Sequence, residues 1–80
     1  MIITVEISYY PLTSDFDNPI NSFIEKLSEE NVEIETGRMS TVIIGEYEKI
    51  MHLLSESMGE LMEKYPSVFN LKISNSCPVK

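Results

Sequence analysis

Eighty residues give room for one domain, spanning residues 1–80, near the lower limit of what a single core can stabilise. A hydrophobic content of 42% argues against disorder, and a net charge of −7 disfavours nucleic acid, since no basic stripe is offered to phosphates. No apolar run approaches the roughly 18 residues of a membrane span, the opening Met-Ile-Ile-Thr-Val-Glu lacks the basic region of a signal peptide, and the single cysteine cannot form an internal disulfide. A soluble, cytoplasmic protein without membrane insertion is expected.

In chain order, Ile2 to Tyr10 alternates as a strand, with Ile3, Val5, Ile7 and Tyr9 on one face and Thr4, Glu6, Ser8 and Tyr10 on the other. Pro11 is expected to stop it. Residues 11–18 read as a loop rich in turn formers, closed by Asn18 as a helix cap and Pro19 at the first helical position. The helix is expected to reach about Glu30, burying Ile20, Phe23, Ile24 and Leu27 at the i, i+3, i+4, i+7 spacing of one face.

Val32 to Thr36 alternates again, its outward Glu33 and Glu35 suiting an edge strand. Gly37-Arg38 then turns the chain into a hairpin with residues 40–44. Thr41-Val42-Ile43-Ile44 is an unbroken β-branched run with no polar alternation, the pattern of a mid-sheet strand covered on both faces. Gly45 is expected to end it before a helix from about Glu46 to Tyr65. There Ile50, Leu53, Leu54, Met58 or Ser57, Leu61, Met62 and Tyr65 repeat at helical spacing, and Pro66 terminates the pattern. Gly59 inside this helix is tolerable where a neighbouring backbone packs against it. Val68 to Ser74 forms the last strand, with Leu71 and Ile73 on one side.

The element order βαββαβ, with right-handed crossovers, predicts an α+β, ferredoxin-like domain: a four-stranded antiparallel sheet with two helices on one face. Strands 1 and 3 lie centrally in that arrangement. The other sheet face would carry Tyr10 and either Val42 with Ile44 or Thr41 with Ile43, apolar enough to expect cover from a second subunit, as a homodimer or homotetramer through the sheet.

Chemistry-bearing residues are sparse. His52 falls between the apolar positions of the second helix with no Cys or Asp at catalytic spacing, so a surface position is expected. Cys77 in the tail reads as a packed or idle thiol. The first loop has neither the glycine cradle and arginine of an acyl-phosphate hydrolase nor the Cys-x-x-Cys of a metal carrier. Met39, Met51, Met58 and Met62 mostly track core positions, so packing accounts for them better than a metal chain. No catalytic residue, metal site or cofactor is expected. What remains is a set of hydroxyl and acidic groups at strand ends: Ser8, Tyr10, Asp15, Asp17, Thr36, Ser40, Thr41 and Ser74. Such groups suit a small polar heterocycle held by a few hydrogen bonds in an apolar pocket.

An ordered set of short motifs adds to this reading. Ile7-Ser8-Tyr9-Tyr10-Pro11-Leu12, then Asp15-Phe16, then Met39-Ser40-Thr41-Val42-Ile43-Ile44-Gly45, then Ser74-Asn75-Ser76-Cys77-Pro78 resembles the YkoF-related family of thiamine- and hydroxymethylpyrimidine-binding domains. The match runs through nearly the whole chain, with Ser76 standing where the family usually has glycine. The resemblance implies a ferredoxin-like fold, no catalysis, and binding of thiamine or its hydroxymethylpyrimidine moiety in thiamine uptake, salvage or homeostasis. Family members with two such domains in tandem imply that two chains here supply what one tandem chain does.

On that resemblance the ligand-binding set is Ser8, Tyr10, Asp15, Thr36, Ser40, Thr41 and Ser74. Ser40 and Thr41 would hydrogen-bond the pyrimidine edge, Tyr10 would stack on a ring, and Asp15 would supply the counter-charge to the thiazolium. The alternative reading is a regulatory or purely structural ferredoxin-like module that oligomerises and binds no vitamin.

Overall fold

β1 (Ile2–Pro11) is paired on both sides, and everything else is hung on it. In the computed structural model, residues 1–14, 17–28, 32–37 and 39–76 are described, Asp17 and Asn18 by their backbone alone. The order is β1, α1 (Asp17–Ser28), β2 (Glu33–Thr36), β3 (Thr41–Glu46), α2 (Tyr47–Lys64) and β4 (Ser67–Ser74). The strands form one antiparallel sheet in the order β2-β3-β1-β4, with β1 and β3 in the middle. This is the ferredoxin-like α+β arrangement expected from the element order.

Register assigns every side chain to a face, because directly opposed residues point the same way. Val5 lies opposite Ile43 and Ile73, and Ile7 opposite Thr41 and Leu71, on the side packed by helices. Ile34 joins that side through Ile43. The core is Ile3, Val5, Ile7 and Ile43 from the sheet, Phe23 and Leu27 from α1, and Ile50, Leu53, Leu54 and Leu61 from α2. The opposite, open face carries Thr4, Glu6, Ser8 and Tyr10 of β1, beside Val42 and Ile44 of β3 and Asn70 and Lys72 of β4. The choice left open by the β-branched run is thereby made: Val42 and Ile44 face outward, and Thr41 and Ile43 face the helices.

Several boundaries move. Pro11 is the last residue of β1, opposite Ser67, and the pairing continues through a bond from Leu12 N to the Pro66 carbonyl of 2.8 Å. A strand's end tolerates a proline because only one ladder donor is lost. α1 starts at Asp17, so Asn18 lies inside the first turn rather than capping it. Pro19 is fully buried there, where its missing N–H has no intrahelical partner to lose. Ser28 closes the described part of α1 by donating to the Ile24 carbonyl at 2.9 Å, and the expected end at Glu30 lies outside the described residues.

Gly45 does not end β3, which runs on to Glu46. A Cβ at Gly45 would stand 3.2 Å from Ile50 Cδ1, so glycine is what lets the first turn of α2 pack onto the sheet. Glu46 is the N-cap of α2 but makes no side-chain cap bond; its carboxylate instead accepts from the Met1 amine at 3.0 and 3.3 Å. The Met1 carbonyl takes the Tyr47 N–H at 2.9 Å, satisfying one of the helix's free donors.

Within α2, Ser57 is buried and Met58 only partly so, while Met62 is exposed. Met39 is also exposed, at 82%. Both methionines thus depart from the expected packing role, because the buried stripe of α2 drifts toward Ser57 and Leu61, and Met39 belongs to a turn. Gly59 has nothing within 4 Å of where a Cβ would stand, so no backbone packs there. Gly59→Ala is therefore expected to raise stability by about 1 kcal/mol, measured as a higher urea midpoint at unchanged slope; a lower midpoint would show that the site is crowded.

Among the described residues no helix is long and apolar enough to cross a membrane.

Candidate functional site

The described residues of the β2–β3 turn are tied to one another and to β1 by three hydrogen bonds. Thr36 and Thr41 are register partners, and between them Gly37 N donates to the Ser40 carbonyl at 2.8 Å. A Cβ on Gly37 would lie 3.2 Å from that same oxygen, so a larger residue would push the turn open. Two side chains of the open face hold the turn to β1: Ser8 Oγ donates to the Met39 carbonyl at 3.3 Å, and Ser40 Oγ donates to Glu6 Oε2 at 3.1 Å.

A cleft opens on each side of this turn. The helix-side cleft, about 140 Å³, is walled by Ile7 and Tyr9 of β1, Ile20, Phe23 and Ile24 of α1, and Thr36, Gly37, Met39, Ser40 and Thr41 around the turn. Its aromatic wall is rigid. Tyr9 stacks on Phe69 with ring centroids 4.4 Å apart and planes 3° from parallel, and meets Phe23 edge-on at 5.4 Å. Ser67 Oγ donates to the Tyr65 carbonyl at 3.0 Å, which leaves the Tyr9 hydroxyl as donor in its 3.1 Å contact with Ser67 Oγ. Offset and edge-on ring contacts of this kind add about 0.5–1.5 kcal/mol per pair beyond burial.

The open-face cleft, about 190 Å³, is lined by Glu6, Ser8, Tyr10, Met39, Ser40, Asn70 and Lys72. Lys72 Nζ stands 3.7 Å from Glu6 Oε1, an ion pair too long for a hydrogen bond. Met39 and Ser40 line both clefts, so the two meet at the turn. A third hollow, about 320 Å³ between α2 and β4, is walled by Met51, Leu54, Met58, Met62, Leu71 and Ile73, with Ser55 as its one polar side chain. It lacks the convergent polar groups that orient a heterocycle.

Of the residues singled out from sequence, Thr36 and Thr41 line the helix-side cleft, Ser8 and Tyr10 the open-face cleft, and Ser40 both. The expected Ser40–Thr41 hydroxyl pair is split across the sheet, since Thr41 is 6% exposed on the helix side while Ser40 bonds Glu6 on the other. Ser74 lies opposite Thr4, and its Oγ accepts from Ser76 N at 3.2 Å. At about 3.3 Å per residue, Thr4 is roughly 13 Å along β1 from Ser8, so Ser74 sits well away from both clefts. Asp15 and Cys77 lie outside the described residues, as do the side chains of Asp17 and Asn18. His52 is exposed and pairs at 3.5 Å with Glu56, one helical turn on. Among the described residues no three His, Cys, Asp or Glu side chains stand together to hold a metal ion.

The profile of the thiamine-binding protein family matches residues 5–76, which include all described residues of both clefts. The chain belongs to this family. No curated protein matches the sequence significantly. Among solved structures, one from Thermotoga maritima, assigned provisionally to thiamine biosynthesis/salvage, superposes with a TM-score of 0.86 at 29% identity, covering 95% of this chain and 85% of that one. A Streptococcus pneumoniae protein superposes at 0.87 with 23% identity over 95% and 88% of the two chains, and a Methanocaldococcus jannascii protein at 0.83 with 22% identity over 99% and 84%. These last two attest the fold.

For a thiamine-binding family member, the sequence reading missed Tyr9, Phe23 and Ile20 as cleft walls and Glu6, Asn70 and Lys72 as cleft polar groups. Glu6 was within reach, since the alternation of β1 sets it on one face with Ser8 and Tyr10. Asn70 and Lys72 were not, because only the β1–β4 register brings them opposite Ser8 and Glu6.

Proposed function

We propose that this chain acts as one domain that binds thiamine or its hydroxymethylpyrimidine moiety without turning it over, in the cytoplasm, serving thiamine uptake, salvage or homeostasis. The observation that carries the reading is the helix-side cleft, a mostly apolar hollow with a few polar groups, in a chain whose family profile covers both of its clefts. Its volume of about 140 Å³ suits one small ring better than two. The pyrimidine lies against Tyr9 and Phe23, and the hydroxyls of Thr36 and Thr41 serve its donor and acceptor edge, while the Ser40 hydroxyl is engaged by Glu6 on the other side of the turn. Ser8 and Tyr10 belong to the part of the site beyond the turn, and Ser74 is left out of it by distance. The reading of binding without turnover is supported by the family, whose profile is that of a thiamine-binding protein.

Thr41→Val keeps the shape and strand preference of the residue and deletes one hydroxyl. Loss of a hydrogen bond to an uncharged ring should weaken binding of the pyrimidine by about 0.5–1.5 kcal/mol, read by calorimetric titration, with the unfolding midpoint little changed. If Thr41→Val and Thr36→Val both titrate as the parent does, the ring is not seated here. If the parent binds neither thiamine nor the pyrimidine at millimolar concentration, the oligomerisation module is the better account.

The proposal includes a homodimer or homotetramer formed through the open face. Val42 and Ile44 are half-buried there, and Ile2 is exposed at 59%. Covering each large apolar side chain of this kind contributes about 1.5–3 kcal/mol. Ile2, Thr4 and Ile44 form the end of the face remote from the turn, so a partner centred there leaves the cleft open from the Tyr10 end.

A further inference from the structure

We infer that Glu6 selects a cationic heterocycle over a neutral one: with the uncharged ring in the helix-side cleft, the charged ring emerges past Met39 and Ser40 into the open-face cleft and faces the Glu6 carboxylate. The inference rests on the ligand seat proposed above and adds to it the residue that reads charge. The two clefts share Met39 and Ser40, so they adjoin at the turn, one on each side of it. Glu6 is held ready for the second ring. Ser40 Oγ donates to one of its oxygens at 3.1 Å, fixing the carboxylate in the cleft wall. Among the described residues its other oxygen meets Lys72 Nζ at 3.7 Å, and the lysine side chain is 82% exposed, so that tie is weak and easily displaced.

The charges around this spot favour a cation. Among the described residues, register runs Glu35, Val42, Glu6 and Lys72 in one row across the open face, two carboxylates against one ammonium. Tyr10, on the same face and lining the same cleft, offers a ring whose π face attracts a cation. Among the described residues, the lining of the helix-side cleft, by contrast, carries no charged side chain, so none of them favours thiamine over the neutral pyrimidine.

The test is calorimetric titration of the full chain with thiamine and with hydroxymethylpyrimidine, for the parent, Glu6→Gln and Lys72→Gln. Glutamine keeps an acceptor for Ser40, so Glu6→Gln should fold. It should weaken thiamine about two- to fivefold, the range of a solvent-accessible charge pair, and leave the pyrimidine unchanged. Lys72→Gln should shift the thiamine-to-pyrimidine ratio the opposite way. The parent's ratio should also fall toward that of Glu6→Gln at about 1 M salt, where charges are screened beyond about 3 Å. Equal losses for both ligands in Glu6→Gln would make Glu6 a scaffold residue and overturn the inference, as would no change in either. A parent that binds the pyrimidine but not thiamine refutes the role of Glu6 and leaves the ring seat standing; one that binds neither refutes both.

Discussion

Ile43→Ala is expected to destabilise the protein by about 2–5 kcal/mol, the cost of removing a buried aliphatic side chain and leaving a cavity. The residue is fully buried at the centre of β3, flanked in register by Val5 and Ile34 and covered by the helix layer. A domain of eighty residues has about 4–12 kcal/mol of stability in all, so this one change removes a large share of it. Urea unfolding followed by circular dichroism should show the midpoint falling by about 1–5 M at a slope near 1–2 kcal/mol per molar. Val42→Ala, one residue back on the open face, should cost much less in the isolated subunit because Val42 is only half-buried. Equal losses from the two substitutions would mean that both faces of β3 are covered within one chain.

If the proposed open-face dimer or tetramer forms, Ile44→Lys is expected to convert it to monomer while the fold survives. Ile44 lies on the open face opposite Thr4 and Glu33, at the end of the sheet away from the β2–β3 turn. A lysine there meets solvent in the monomer but would be buried in a face-to-face interface. The effective penalty for burying an unpaired ammonium is several kcal/mol, which at about 1.4 kcal/mol per tenfold raises the dissociation constant by roughly a hundredfold or more. Light scattering across a dilution series reads the change, and the unfolding curve of the monomeric variant confirms that the subunit is intact. An unchanged mass distribution would move the subunit interface elsewhere. Because Ile44 lines neither cleft, ligand titration of the same variant separates binding from assembly.

Much of this architecture was determined by local residue order. The alternation of Ile3, Val5, Ile7 and Tyr9 against Thr4, Glu6, Ser8 and Tyr10 sets the two faces of β1, because successive strand side chains point opposite ways. Pro19 at the start of α1 and Pro66 after α2 mark helix ends through the fixed φ and missing N–H of proline. Glu33 and Glu35 mark β2 as an edge strand, since outward charge is tolerated where no further strand pairs. From these elements the βαββαβ order and the right-handedness of its crossovers leave few folds to choose from.

Tertiary structure decided what local order leaves degenerate. A run such as Thr41-Val42-Ile43-Ile44 has no polar alternation, so nothing in it says which residues face the helices; the pairing of Val5 with Ile43 does. That one register places the Thr41 side chain in the helix-side cleft and turns the Ser40 hydroxyl to Glu6 on the open face, although the two are adjacent in sequence. Ser57 is buried where methionine was the natural candidate, because position on the helix, set by packing against α1 and the sheet, outweighs the hydrophobicity of a neighbouring residue. Ser74 shares its hydroxyl chemistry with Ser8 and Ser40 yet is held at the opposite end of the sheet by its pairing with Thr4. Residue type limited what each position can do chemically, and cross-strand register, a relation between segments far apart in the chain, decided which of them meet.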